Sequence, residues 1–197
     1  MNPEAVRKHF EGTGALLSGH FKLSSGLHSD RYLQCAKVLQ WPARAEALGA
    51  ALAAKLSAFS PTVVVSPAMG GLIIGQEVGR GLGCRAIFAE RTEGVFTFRR
   101  GFALEPGERV VVVEDVVTTG KSTREVFDLV RSVGAEVVAT SGIVDRRGAE
   151  IGKPIDSVPA AFLLELDVPA WKPEACPLCA KGEPVVAPGS RFLAQGA

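Results

Sequence analysis

Few cysteines, no long apolar run and almost no net charge mark this 197-residue sequence, and each shortage excludes a class of protein. Four cysteines (35, 84, 176 and 179) in a chain of this length do not suggest the disulfide framework of a small secreted domain. No apolar stretch approaches the roughly 20 residues that a spanning helix needs. Residues 1–10 carry Glu4, Arg7, Lys8 and His9 and lack the apolar region of a signal peptide. A soluble, cytoplasmic protein is the expectation. The net charge of +1 offers no general attraction to nucleic acid or to an anionic membrane, so an anionic ligand has to be held by a local cluster of donors. Internal repeats and low-complexity segments are also missing. With 47% apolar and 22% charged residues, what remains is an ordinary globular chain, long enough to bury one α/β core.

Asn2 and Pro3 read as the cap and first position of a short helix that stops near Gly12. Residues 14–40 are mixed, with turn signals at 24–26 and a strand expected around 32–38. The Ala- and Leu-rich stretch 42–59 reads as an amphipathic helix. A rhythm of strand, loop and helix then begins. Strands are expected at 62–66, 86–90, 109–113, 136–144 and 160–166, and helices at 72–81 and 121–133, the second stopped by Gly134. Residues 92–108 are charged and Gly-rich, with a hairpin around 95–104. The alternation implies one domain over 1–197: an N-terminal segment 1–40, a core 42–168 built on a parallel sheet of about five strands flanked by helices, and a Pro- and Gly-rich tail 169–197. Such sheets bind ligands off the carboxyl ends of their strands. The loops 66–71, 114–122 and 145–148 all fall there.

Residues 110–123 carry the chemistry. An apolar strand delivers Glu114 and Asp115 to its end, and Thr118, Thr119, Gly120, Lys121, Ser122 and Thr123 lead into a helix. A helix N-terminus presents unpaired N–H groups and partial positive charge, which suits a phosphate monoester. Gly120 allows close backbone approach, and the hydroxyls add donors. Carboxylates repel phosphate but suit sugar hydroxyls or a hydrated Mg²⁺. Together these describe a site for a phosphorylated sugar. A pair of surface charges beside a plain helix cap is the bland alternative, disfavoured because both features share one strand end. A P-loop fails at its first glycine, where Asp115 stands, and no Gly-x-Gly-x-x-Gly follows a strand.

Residues 110–123 resemble the 5-phosphoribosyl-1-pyrophosphate (PRPP) motif of type I phosphoribosyltransferases. Over about residues 10–170 the chain is similar to the orotate phosphoribosyltransferases of that family. Phe21-Lys22-Leu23-Ser24-Ser25-Gly26 resembles their N-terminal hood signature, Ser66-Pro67-Ala68-Met69-Gly70-Gly71 their pyrophosphate loop, and Asp145-Arg146 their orotate-binding pair. Phe88 to Arg91, Thr97 to Phe102 and the Cys176-Pro177-Leu178-Cys179 tail are similar to the short-loop branch. The resemblance implies the type I phosphoribosyltransferase fold with a small N-terminal hood. It also implies transfer of ribose 5-phosphate from PRPP to orotate, in pyrimidine synthesis. Carried over residue by residue, the catalytic candidates are Glu114, Asp115 and Arg91. PRPP would lie on Glu114, Asp115, Val116, Val117, Thr118, Thr119, Gly120, Lys121 and Ser122. Pyrophosphate would lie on Ala68, Met69, Gly70 and Gly71 with Arg99 and Arg100, and orotate on Thr118, Arg146, Lys22 and Ser24. Mg²⁺ would arrive through PRPP and water, with no direct protein ligand. A homodimer is implied, with no nucleic-acid or membrane partner.

Two positions depart from the family pattern. Ser24 stands where many relatives have Lys, which makes Lys22 the candidate replacement. Residues 91–101 hold Arg91, Arg99 and Arg100 but neither Lys nor His. A phosphoribosyltransferase for a purine base and a non-catalytic PRPP-sensing regulator are the alternatives. Arg146 argues against the first, since a purine has no carboxylate, and near-neutral charge against the second. Cys176 and Cys179 read as a tail turn or a redox-labile pair ahead of half a zinc site. A structural zinc takes four ligands, no second pair is evident, and His9, His20 and His28 show no metal spacing.

Overall fold

The computed structural model describes residues 1–23 and 25–188. Helix α1 (Pro3–Glu11) starts as expected: Asn2 Oδ1 accepts the Ala5 N–H at 2.8 Å, and Pro3 occupies the first turn. Strands β1 (Leu16–Lys22) and β2 (His28–Leu33) form an antiparallel hairpin. The strand expected at 32–38 is corrected. Pairing stops at Leu33, and α2 (Ala36–Leu39) takes the following residues. Cys35, Val38 and Leu39 are buried at i, i+3 and i+4, a helical spacing that outweighs the local strand preference. Helix α3 (Pro42–Leu56) buries Ala45, Leu48, Leu52 and Leu56 along one stripe.

The core follows as β3 (Val63–Pro67), α4 (Gly71–Leu82), β4 (Arg85–Thr92), β5 (Val95–Phe98), β6 (Arg109–Val117), α5 (Lys121–Ser132), β7 (Glu136–Asp145) and β8 (Ala160–Glu165). A short α6 (Pro177–Ala180) lies in the tail. The main sheet has the order β5-β4-β3-β6-β7-β8. Five of these strands are parallel, as anticipated. The sixth, β5, lies antiparallel on β4 at the edge. The hairpin expected at 95–104 is corrected: its arms are β4 and β5, it turns at Glu93-Gly94, and residues 99–104 form no strand. Both turn residues have positive φ, +52° and +87°, the twist that two-residue hairpin turns favour.

Alternation along the strands divides the core in two. Val64, Val111 and Val113 face a cluster with α1, α3 and α4, including Phe10, Leu48, Leu52 and Ile74. Val63, Val65, Val110 and Val112 face α5 through Val126, Phe127 and Val130. Each such side chain, fully buried, contributes roughly 1.5–3 kcal/mol. The chain runs outward from β3 to β4 on one side and from β6 to β7 on the other. The strand order thus reverses between β3 and β6. That reversal opens a crevice at their carboxyl ends. The hairpin β1–β2 is anchored at the same end of the sheet. Cys35 Sγ lies 3.9 Å from the Asp115 carbonyl oxygen, and Ser29 Oγ donates to the Pro169 carbonyl at 2.8 Å, just past β8.

Candidate active site

Strand β6 does not stop at its acids. It continues to Val117, with Val116 opposite Val144 and Val117 opposite Asp145, so Glu114 and Asp115 lie inside the paired strand. Neighbouring strand residues point to opposite faces, and the two carboxylates diverge accordingly. Glu114 accepts a hydrogen bond from the Thr123 hydroxyl at the start of α5. Burial pushes its carboxyl up to about 7. The Thr123 bond opposes this, the Asp115 charge adds to it, and the Arg91 charge opposes it. Asp115 faces the loop after β3: a methyl group on Gly70 would meet its Oδ1 at 2.6 Å. Burial raises its carboxyl as well, against the Val116 N–H that donates to Oδ1 at 2.9 Å. Among the described residues neither acid forms an ion pair.

The loop after β6 enters α5 through Gly120, whose φ of +72° suits glycine and which supplies no side-chain cap. Thr119 Oγ1 accepts the Lys121 N–H at 3.2 Å, and Arg124 Nη1 donates to the Thr119 carbonyl at 2.8 Å. These contacts hold the loop around a small open pocket. Glu114, Val116, Val117, Thr118, Thr119, Gly120, Lys121, Ser122 and Thr123 line it. Amide and hydroxyl donors at a helix N-terminus make it an oxyanion cradle with a carboxylate at its floor. Across the crevice, Ala68 N donates to the Ala89 carbonyl at 2.8 Å, the Ala68–Met69 peptide is cis, and Met69 is exposed.

A family model described as the phosphoribosyl transferase domain matches residues 34–159, a span that contains both loops and both acids. The chain belongs to the phosphoribosyltransferase family. It is 50% identical to the orotate phosphoribosyltransferase of Caldicellulosiruptor bescii over 191 residues, 97% of this chain and 99% of the relative. It is 52% identical to that of Pelotomaculum thermopropionicum over 193 residues, 98% of this chain and 100% of the relative. The fold is similar to that of the Mycobacterium tuberculosis orotate phosphoribosyltransferase solved with Fe(III) dicitrate. That match has a TM-score of 0.67 at 22% identity and covers 82% of this chain and 96% of that one. The Aeropyrum pernix orotate phosphoribosyltransferase gives 0.65 at 24% identity, over 82% and 93%.

In this phosphoribosyltransferase the Asp145-Arg146 pair of the sequence divides. Asp145 is fully buried and engaged elsewhere. It takes Arg147 in a two-bond ion pair at 2.9 and 2.8 Å, and it accepts the Gly152 N–H at 3.0 Å. Arg146 is left for another partner. Its backbone N–H donates to the Val117 carbonyl at 2.8 Å, which ties it to the end of β6. Its Nε is buried with no hydrogen-bond partner among the described residues. Burial lowers its pKa, against the influence of the Cys35 sulfur.

The arginines of 91–101 differ in availability. Arg91 is paired with Glu125 of α5 and lies 4.1 Å over the Phe96 ring. Arg100 grips Glu90 through two bonds of 2.9 Å. Arg99 is exposed and forms no ion pair among the described residues. Lys22 is exposed at the end of β1; Ser24 lies outside the described residues. One grouping escaped the sequence reading. Cys176 and Cys179, which lacked partners in the sequence, meet His20 and His28. The hairpin register was the missing signal. Lys22 lies opposite His28, and the pairing shifts register between Ser18 and Phe21, at His20, whose Nε2 comes within 2.9 Å of His28 Nδ1.

Proposed function

We propose that this chain transfers ribose 5-phosphate from PRPP to orotate, releasing pyrophosphate and forming orotidine 5′-monophosphate. The observation that carries the reading is Arg146, whose buried, unpartnered Nε stands beside the β6 end that bears the acid pair. A half-buried guanidinium whose Nε lacks an acceptor suits an anion, and orotate has a carboxylate of matching two-oxygen geometry. The relatives that are half identical over nearly the whole chain support the same substrate.

The loop 118–122 clamps the 5-phosphate and fixes C1 of the sugar against the base nitrogen. As the C1–pyrophosphate bond breaks, positive charge grows on the ribose ring. Glu114 and Asp115 hold the ribose hydroxyls, and their charge favours that cation. The amides of 68–71 receive the departing pyrophosphate, with Arg99 the exposed cation of the neighbouring loop. Two half-buried carboxylates with no ion pair among the described residues suit the water shell of a Mg²⁺ that PRPP brings. When bound, that ion offsets charge on the leaving group. Arginine gives up no proton near neutral pH, so none of Arg91, Arg99 and Arg100 acts as an acid, and Arg99, without an ion pair among the described residues, is the one left to stabilise charge. A cytoplasmic homodimer completes the proposal.

Phosphorus NMR of PRPP with the protein tests the reaction. Pyrophosphate and the nucleotide should appear together, in equal amounts, only when orotate is added. Bound PRPP that stays intact with orotate present would instead make the chain a PRPP-binding regulator.

A further inference from the structure

Four side chains of metal-ligating type converge where the tail crosses the β1–β2 hairpin, apart from the crevice between β3 and β6. His20 Nε2 and His28 Nδ1 are 2.9 Å apart. Cys176 Sγ is 3.5 Å from His20 Nε2. Cys179 Sγ is 3.6 Å from His20 Nε2 and 3.2 Å from His28 Nδ1. All four ligand atoms lie within 4.8 Å of one another. His20, His28 and Cys176 are buried, at 5, 6 and 3% exposure, and the cysteines are not joined as a disulfide.

We propose that these residues bind one Zn²⁺ in a closed, four-coordinate Cys₂His₂ site that staples the tail to the hairpin. Tetrahedral zinc, with bonds of about 2.0–2.1 Å to nitrogen and about 2.3 Å to sulfur, sets its ligand atoms roughly 3.3–3.8 Å apart. The three sulfur–nitrogen distances above fall in or beside that range, and the widest pair of the four atoms, at 4.8 Å, has to close by roughly 1 Å. The His–His edge has to open by roughly 0.4 Å to reach it. Two thiolates and two imidazoles select zinc among the common divalent ions. His20 is already oriented for the task. Its Nδ1 lies 2.8 Å from the Glu183 carbonyl, and donation there leaves the Nε2 lone pair facing the cluster.

The backbone frames the site on both sides. His28 and Trp171 exchange two N–H···O bonds of 2.8 Å. Lys22 donates to Val186 and Val186 to His20, each at 2.8 Å. The tail between these anchors forms the loop that carries both cysteines, with α6 closing the Cys-x-x-Cys turn. The two histidines bracket residues 21–27, so the metal sits at the base of the turn that extends from Lys22. It joins ligands about 150 positions apart in sequence, the long closure for which a cross-link constrains the unfolded chain most.

The test is metal content of the full chain, expressed without an affinity tag in zinc-supplemented medium. One zinc per chain is expected. Alkylation of Cys176 and Cys179 should be blocked until a chelator is added. Cys84→Ser should keep the metal, and Cys176→Ser/Cys179→Ser should lose nearly all of it. Because the double variant can fail to fold, wild-type chain grown in cobalt-supplemented medium supplies a second reading. Visible bands of tetrahedral cobalt and a near-ultraviolet thiolate band are expected. Zinc-free protein with no cobalt bands would overturn the proposal, as would full zinc in a folded double variant. So would a Cys176–Cys179 disulfide in mass spectra of the purified protein.

Discussion

Glu114→Gln separates the electrostatics of the site from its shape. Glutamine keeps the length of the side chain and an oxygen to accept the Thr123 hydroxyl, and removes only the charge. In the ligand-free protein the Glu114 carboxyl titrates at about 7, against an ordinary 4.5, chiefly because it is buried. The folded protein therefore holds this proton more tightly than the unfolded chain does. The stability that results is complete below 4.5 and is lost as pH rises through 7. Once ionised, the buried carboxylate costs about 3 kcal/mol, from 1.36 kcal/mol for each pH unit between the two values. The variant never incurs that cost. In ligand-free calorimetry, wild type and variant should unfold at similar temperatures at about pH 4.5 and separate progressively above it. By about pH 8 the variant should lead by up to roughly 6–12 °C, the span that 3 kcal/mol covers in a domain of this size. Turnover should move the other way and fall sharply, because the ribose hydroxyls lose their charged acceptor. A temperature gap that is the same at low and high pH would refute the reasoning.

Arg146→Ala should raise the orotate KM steeply and spare PRPP affinity, since losing one partner of a buried charge pair costs about 2–5 kcal/mol; an equal loss of PRPP binding in calorimetric titration would assign Arg146 to the wrong ligand. Asp115→Asn should lower kcat more than PRPP affinity, because a charge facing a developing cation acts most strongly in the transition state; unchanged kcat would remove Asp115 from catalysis. Arg147→Ala leaves the fully buried Asp145 without its partner and should cost about 3–5 kcal/mol of stability, seen as a fall of roughly 6–20 °C in Tm; an unchanged Tm would show that Asp145 is held well enough by backbone N–H groups.

The valine runs of β3 and β6 were legible because both faces of those strands are buried, which leaves a continuous apolar signature. The loops at their carboxyl ends were legible from glycine and hydroxyl residues, and residues alone pointed to a phosphorylated sugar. Orotate came from family resemblance, not from spacing. What escaped depended on contacts distant in sequence. Strand β6 runs past its acids: Thr123 bonds Glu114, and Gly70 lets the opposite loop approach Asp115 while Gly71 lets it approach the Val113 carbonyl. The β4–β5 register turns on a positive φ at Glu93, a residue type that gives little warning of it. Asp145 pairs with Arg147 instead of Arg146 because the chain bends back through Gly152 to enclose both. His20, His28 and the tail cysteines carry no local pattern; only the hairpin register and the returning tail bring them together.

The central claim is that the anion facing Arg146 is the orotate carboxylate. The direct measurement is PRPP-dependent consumption of orotate, uracil, adenine and hypoxanthine by the same preparation. Orotate alone should be consumed, with uracil, the same ring without the carboxylate, left untouched. Consumption of adenine or hypoxanthine in preference to orotate, or of uracil at a comparable rate, would contradict the account.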